Sequence, residues 1–127
     1  MADEAVIVRA GEPLDAMGRV FGMGEWRGSG PPQLHVHHED DEAWHVLEGS
    51  LRFRVGAETV EAPAGTTVFV EKGTPHAYGN PSPSPARYLL VMTPRIEQLI
   101  ARLHEGDWTD VHELFREHES ELLPPPA

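Results

Sequence analysis

From about residue 5 to residue 93, short apolar runs alternate with turn-forming Gly, Pro and Asn residues and with clusters of acids. This rhythm is typical of an all-β domain. In residues 51–55, Leu, Phe and Val alternate with two arginines, which indicates a strand with one buried and one solvated face. We therefore predict an all-β fold of short strands and tight turns.

The turns in this region divide it into individual strands. Gly56 and Ala57 are predicted to form the tip of a hairpin. The stretch NPSPSP at residues 80–85 should be an exposed loop, because its three prolines cannot donate hydrogen bonds to a sheet. Further strands are predicted at residues 5–9, 19–26, 67–70, 76–78 and 87–93.

The hydrophobic period changes after residue 93, where two helices are predicted. Thr93 and Pro94 suit the N-cap and first position of a helix that Gly106 should end. Its apolar residues follow at helical spacing: Ile96, Leu99, Ile100 and Leu103. The second helix is predicted from Val111, Leu114, Phe115 and His118, and Asp110 and Glu113 are spaced as a capping box. We expect an apolar helix face to cover the strands or a neighbouring subunit.

Length and charge limit the classes of function. The 127 residues fit one domain, and 21 acids against 10 basic residues give a net charge of −11, so we expect no nucleic-acid or membrane partner. The chain has no cysteine, so a metal would need His, Asp or Glu ligands. The acidic N-terminal stretch lacks the pattern of a signal peptide, and we expect a cytoplasmic location.

Four histidines and five acids lie within residues 31–49. Residues two apart on a strand face the same side, so His35 and His37 can reach one metal ion, whereas His38 faces away. On the next strand, Glu42 would return a carboxylate beside the pair, and His45 would point outward. The segment is thus predicted to bind a metal, and a solvated polar loop is the alternative interpretation.

The acidic run itself leaves the carboxylate ligand open. Glu39 or Asp41 can take the place of Glu42 if the turn directs another member of the run inward.

Two spaced motifs resemble those of the cupin superfamily. The first is His35-x-His37-x-x-x-x-Glu42, followed by Gly49. The second is formed by Gly65, Gly73, His76 and Asn80, with Glu71 in the place of the usual proline. The stretches around both motifs are similar to the small single-domain cupin-2 group, which includes quercetinase-like members.

The resemblance implies a fold and a division of the chain. The fold would be a double-stranded β-helix, the cupin jelly-roll barrel, with two short C-terminal helices. Residues 1–93 would form the barrel and residues 94–120 a helical extension, and residues 121–127 would be a flexible tail. A homodimer is also implied.

The resemblance further implies one six-coordinate divalent transition metal, which can be Fe, Mn, Ni, Co, Cu or Zn. Its ligands would be His35, His37, Glu42 and His76. Three imidazoles and a carboxylate suit these metals and leave coordination positions open for substrate or dioxygen.

The expected function is that of a dioxygenase-like metalloenzyme acting on a small apolar or aromatic substrate that bears an oxygen atom. Glu42 would accept a substrate proton and Tyr78 would donate a hydrogen bond. The pocket is predicted to be lined by Trp44, Val46, Phe53 and Tyr78. Three alternatives stay open: a metal-dependent isomerase, lyase or decarboxylase, a non-catalytic barrel that binds a small ligand, and an oligomer scaffold.

Overall fold

The computed structural model describes residues 5–28 and 33–124, and in these residues the chain forms ten short strands and two helices. The strands are β1 (Asp15–Met17), β2 (Gly22–Arg27), β3 (His35–His37), β4 (Glu42–Glu48), β5 (Ser50–Val55), β6 (Glu58–Pro63), β7 (Thr67–Val70), β8 (His76–Gly79), β9 (Arg87–Met92) and β10 (Ser120–Leu122). The helices are α1 (Pro94–Glu105) and α2 (Val111–Glu117), and both lie between β9 and β10.

The strands pair in antiparallel fashion in two five-stranded sheets. One sheet has the order β1-β2-β9-β4-β7 and the other the order β10-β3-β8-β5-β6. From β2 to β9 the chain changes sheet at every connection except the β5–β6 hairpin, whose tip lies at Gly56 and Ala57 as predicted. The architecture confirms the predicted all-β class and the double-stranded β-helix with two short helices.

The inner faces of the two sheets form the main core. In β4, Glu42, Trp44 and Val46 are buried while the residues between them are partly exposed, as the period-two pattern predicts. From the facing sheet, Leu51 and Phe53 of β5 enter the same core. The rings of Trp44 and Phe53 meet edge to face, with their centroids 5.2 Å apart, which is a favourable aromatic geometry.

Both predicted helices are confirmed, together with their caps. The Thr93 hydroxyl accepts a hydrogen bond from the Ile96 N–H, and Gly106 ends α1 in a left-handed conformation with φ of 71°. The Asp110 carboxylate accepts from the N–H groups of His112 and Glu113. A second apolar cluster joins α1, α2 and β10 through Leu99, Leu114, Phe115 and Leu122. Neither helix in the described part of the chain combines the length and the apolar character that a membrane crossing requires.

The first strand differs from the prediction. Residues 5–9 form no strand, and Val6 and Ile7 are exposed. The physical reason is that residues 15–17 form β1 and occupy the edge of β2, so that edge is not available to the earlier run. In addition, β2 begins at Gly22 rather than at residue 19.

The C-terminal end also differs from the prediction. Residues 121 and 122, which the sequence assigns to a flexible tail, lie in β10 and pair with β3. Leu122 contributes to the cluster beneath α1, and this burial anchors the segment. The division into a barrel at residues 1–93, an extension at residues 94–120 and a tail otherwise stays a prediction.

Candidate metal centre and its cavity

The four side chains predicted as metal ligands converge between the two sheets. His35 and His37 lie on β3, His76 lies opposite His35 on the neighbouring β8, and Glu42 comes from β4 of the facing sheet. Their candidate ligand atoms all lie within 4.8 Å of one another, and all four residues are buried. A group of this composition can hold a metal ion.

The outer nitrogen of two of the imidazoles is held by a backbone hydrogen bond. The Nδ1 atoms of His35 and His76 lie 2.9 Å from the carbonyl oxygens of Gln33 and Thr74. Since a carbonyl oxygen only accepts hydrogen bonds, both Nδ1 atoms carry a proton and donate. In the neutral rings the Nε2 atoms therefore present lone pairs, which is the arrangement that a metal-ligating histidine requires.

The chemistry of this donor set calls for a cation. One carboxylate oxygen of Glu42 lies 3.2 Å from Nε2 of His37 and 3.2 Å from Nε2 of His76. If the rings are neutral with Nδ1 protonated, each contact places an Nε2 lone pair against a carboxylate oxygen, and both atoms are hydrogen-bond acceptors in a buried site. Such a contact is favourable only when a positive charge, either a proton or a metal ion, lies between them. The residues thus fit a divalent metal.

The ionisation states of two ligands suit the same role. Burial, together with the neighbouring His76 and His37, lowers the pKa of His35 to about 4. Burial alone would raise the pKa of Glu42, but its close contacts with the imidazoles of His37 and His76 lower it to about 2. At neutral pH, His35 is therefore neutral and Glu42 is ionised, which are the protonation states that metal binding needs.

A cavity of about 490 Å³ adjoins the ligand group. His35, His37 and Glu42 form its polar part. Its walls are mostly apolar and aromatic, and more than half of these residues come from α1 and α2: Trp26, Tyr78, Tyr88, Leu90, Ile96, Leu99, Ile100, Leu103 and Phe115. Arg27 and His104 complete the lining. This combination of an apolar wall and a few convergent polar groups is typical of a small-molecule site.

Two tyrosines that line the cavity bring their hydroxyl groups together. The hydroxyl oxygens of Tyr78 and Tyr88 lie 3.0 Å apart, so one donates to the other. The acceptor's own proton then remains available to an oxygen atom in the cavity. Burial and the neighbouring Tyr88 raise the pKa of Tyr78, and burial raises the pKa of Tyr88, so both stay protonated donors at neutral pH.

The pocket residues predicted from the sequence differ in where they lie. Tyr78 lines the cavity. Trp44, Val46 and Phe53 do not line this cavity; they are fully buried in the core, where side chains of the two sheets fill the space between them. The strand pattern gave their inward direction correctly, but it could not show which inward-facing residues border the cavity.

The other histidines and acids of the segment lie outside the ligand group. His38 is half-exposed and approaches Glu121, and the Nδ1 atom of His45 lies 2.7 Å from the Thr67 hydroxyl on the outer face. The two alternative acids also lie elsewhere: Glu39 is exposed, and the Asp41 carboxylate accepts from the backbone N–H of Lys72. The geometry therefore favours Glu42 among the acids.

Several residues of the site were missed by sequence reasoning. The apolar stripe of α1 was recognised, but not its role as a cavity wall. Tyr88 gave only a strand signal, and Phe115 only a helix signal. Ser120, whose hydroxyl lies 2.7 Å from Nδ1 of His37, gave no signal at all, since 83 residues separate the two in the sequence.

Comparisons with known proteins agree with this geometry. A family model described as "Cupin domain" matches residues 25–92, which is more than half of the chain. A search of curated proteins finds no significant match.

Solved structures similar to this chain include three bacterial proteins. TT1209 from Thermus thermophilus is 29% identical, with a TM-score of 0.57 and coverage of 65% of this chain and 81% of that one. A conserved protein with a double-stranded β-helix domain from Klebsiella pneumoniae is 24% identical, with a TM-score of 0.54 and coverage of 74% of this chain and 87% of that one. At this identity the likeness is evidence for the fold and not for a function. A sugar phosphate isomerase of a cupin superfamily from Silicibacter pomeroyi is 28% identical, with a TM-score of 0.52. That last match covers 58% of this chain and half of the isomerase.

Proposed function

This chain belongs to the cupin family, and from that premise we propose that it is a metal-dependent, dioxygenase-like enzyme acting on a small apolar or aromatic substrate that bears an oxygen atom. The supporting observation is the cavity of about 490 Å³, which combines an apolar wall with three of the four candidate ligands. A small organic molecule enclosed there would lie directly against the metal position. The quercetinase-like subgroup is part of the proposal and rests on the resemblance of the two motifs.

His35, His37, Glu42 and His76 would hold one divalent transition metal: Fe, Mn, Ni, Co, Cu or Zn. When bound, the metal supplies a Lewis acid with open coordination positions for a substrate oxygen and for dioxygen. The protein's own contribution begins with the hydrogen bonds that Nδ1–H of His35 and His76 donates to backbone carbonyls, which keep both rings in ligand orientation.

The residues around the ligands have separate tasks in the proposal. Glu42 would accept the proton of a substrate hydroxyl, and an acidic enol or phenol suits a carboxylate base best. The Tyr78 and Tyr88 pair would donate a hydrogen bond to a second oxygen atom of the substrate. The wall from α1 would exclude water and contact the apolar body of the substrate.

The first test is metal content together with oxygen consumption. Untagged protein should contain close to one equivalent of a transition metal by elemental analysis, and it should consume dioxygen with at least one probe among a flavonol, a catechol and a 1,3-diketone. Glu42→Gln should lower both metal content and turnover. Glu39→Gln, an exposed member of the same acidic run, is the matched control and should change neither. Full metal content and full turnover in Glu42→Gln would refute the assigned role.

A second candidate is a metal-dependent isomerase, lyase or decarboxylase. None of these three reaction types requires dioxygen. The isomerase is favoured by the likeness to the Silicibacter pomeroyi sugar phosphate isomerase. Against it, the cavity lining contains one arginine, Arg27, whereas a phosphorylated sugar calls for several convergent cationic groups. Turnover of a sugar phosphate without oxygen consumption would favour this candidate.

The remaining expectations stay predictions. Ligand binding without turnover of any probe would indicate a non-catalytic barrel, and the scaffold alternative predicts no metal in either wild-type protein or a variant that lacks the metal ligands.

A homodimer would be tested by light scattering. Its interface would use the outer face of the β1-β2-β9-β4-β7 sheet, where an apolar row crosses all five strands: Ala16, Met23, Val91, Ala43 and Phe69. A cytoplasmic location would be tested by cell fractionation.

A further inference from the structure

We propose that Ser120 is a positioning residue of the metal centre: its hydroxyl fixes the tautomer of His37, so that a strand contributing no ligand determines metal affinity. The inference rests on the metal site of the proposed function, not on the reaction. Ser120 lies directly opposite His37 in the antiparallel pairing of β10 with β3. Its Oγ atom lies 2.7 Å from Nδ1 of His37, and Ser120 is 1% exposed.

The direction of this hydrogen bond follows from a second contact. The Ser120 hydroxyl lies 3.0 Å from the backbone carbonyl oxygen of His118, to which it donates its single proton. Towards His37 the hydroxyl can then only accept, so Nδ1 of His37 carries the proton. The opposite assignment would bring the lone pairs of Ser120 and the His118 carbonyl together in a buried position, which is unfavourable.

The proton on Nδ1 determines the state of the other ring nitrogen of His37, Nε2. With Nδ1 protonated, Nε2 of neutral His37 presents a lone pair towards Glu42, 3.2 Å away, where the candidate ligands converge. His35 and His76 obtain the same tautomer from backbone carbonyls close to them in sequence. His37 depends instead on a side chain 83 residues away.

The turn that carries Ser120 is itself firmly held. His118 donates from Nδ1 to the Leu114 carbonyl, 2.8 Å away, which ties the turn to the end of α2. Glu119 has φ of 53°, an uncommon left-handed conformation for a residue other than Gly, and its carbonyl accepts from the His38 N–H at 2.8 Å. A strained residue persists only where the surrounding structure fixes it. Here that structure places the Ser120 hydroxyl between His118 and His37.

The chain offers a matched control on its outer face. His45 and Thr67 form another histidine–hydroxyl pair at 2.7 Å, and neither residue belongs to the ligand group. Ser120→Ala and Thr67→Ala thus each remove one hydroxyl that contacts a histidine Nδ1. Only the first removal should affect the metal centre.

The test measures zinc affinity by competition with a chromophoric chelator. Ser120→Ala should bind Zn²⁺ roughly 10 to 100 times more weakly than wild type, the range typical for loss of a group that orients a ligand. Ser120→Thr, which keeps the hydroxyl, should restore most of the affinity, and Thr67→Ala should match wild type. Equal affinity in Ser120→Ala and wild type would overturn the inference.

A second measurement needs neither a variant nor a metal. Long-range ¹H–¹⁵N correlation spectra of the metal-free wild-type protein, at a pH where His37 is neutral, report which ring nitrogen carries the proton. We expect the Nδ1–H tautomer for His37, and the Nε2–H tautomer would overturn the inference even if Ser120→Ala failed to fold. Absence of metal binding in wild type would refute the proposed function and the effect on metal affinity, while the tautomer would still decide whether Ser120 sets the protonation of His37.

Discussion

Histidines on the inner face of the β3–β4 region belong to the candidate metal centre, whereas histidines on its outer face do not. His35 and His37 point between the sheets, are buried and join Glu42 in the candidate metal centre. His38 and His45, from the same stretch of sequence, lie outside this group and contact Glu121 and a threonine hydroxyl. The comparison shows that strand alternation and burial, rather than the local density of histidine, select the ligands.

The largest expected effect is on metal content and comes from a pair of double variants. His35→Ala with His37→Ala removes two of the four inner donors, and we expect complete loss of bound metal by elemental analysis. His38→Ala with His45→Ala removes two outer histidines and should leave the metal content unchanged. Retention of metal in the inner variant, or loss of it in the outer one, would break the distinction between the faces.

A second prediction extends the comparison to phenylalanines and to stability. Phe53 is 0% exposed between the sheets, whereas Phe69 on the outer face of β7 is 63% exposed. Phe53→Ala should lower the free energy of unfolding by about 3–5 kcal/mol, because it leaves a cavity in the core. At a protein concentration where light scattering shows a monomer, Phe69→Ala should change it by less than about 0.5 kcal/mol. Urea unfolding of the metal-free proteins measures both, and similar losses would contradict the assignment of faces.

A third and smaller effect concerns the pH dependence of the metal-free protein. His35 has a pKa of about 4 in the folded chain against 6.5 for an ordinary histidine, so the unfolded chain binds more protons between these values. The contribution of His35 to the free energy of unfolding should therefore be fully present above pH 6.5 and decline as the pH falls towards 4. Urea unfolding at about pH 7 and about pH 5 should show this decline, and His35→Gln should reduce it. An unchanged pH dependence in His35→Gln would count against the buried, neutral state of His35.

Much of the site followed from local patterns. Alternation along β4 placed Glu42, Trp44 and Val46 inward and His45 outward, and the structure confirms these directions. Capping residues gave the beginnings of both helices and Gly106 gave the end of α1. These features depend on backbone geometry over a few residues, so local sequence patterns are enough to predict them.

Other features depend on which distant segments meet. The run at residues 5–9 has the apolar character of a strand, yet residues 15–17 take the edge beside β2. Trp44 and Phe53 face inward as predicted, but packing between the sheets makes them core rather than cavity wall. Four of the nine apolar and aromatic wall residues come from α1, whose apolar stripe could equally have covered a neighbouring subunit.

Residue spacing and capping signals were enough to predict the all-β class, the inward direction of His35, His37 and Glu42, and the helices that follow, because each rests on a short-range period or cap. Three other features become visible only in the folded chain: α1 lines a cavity, the hydroxyls of Tyr78 and Tyr88 meet, and Ser120 contacts His37. Those contacts join residues of different strands and helices, and their distances depend on the packing of the whole chain. No periodicity along one segment encodes them.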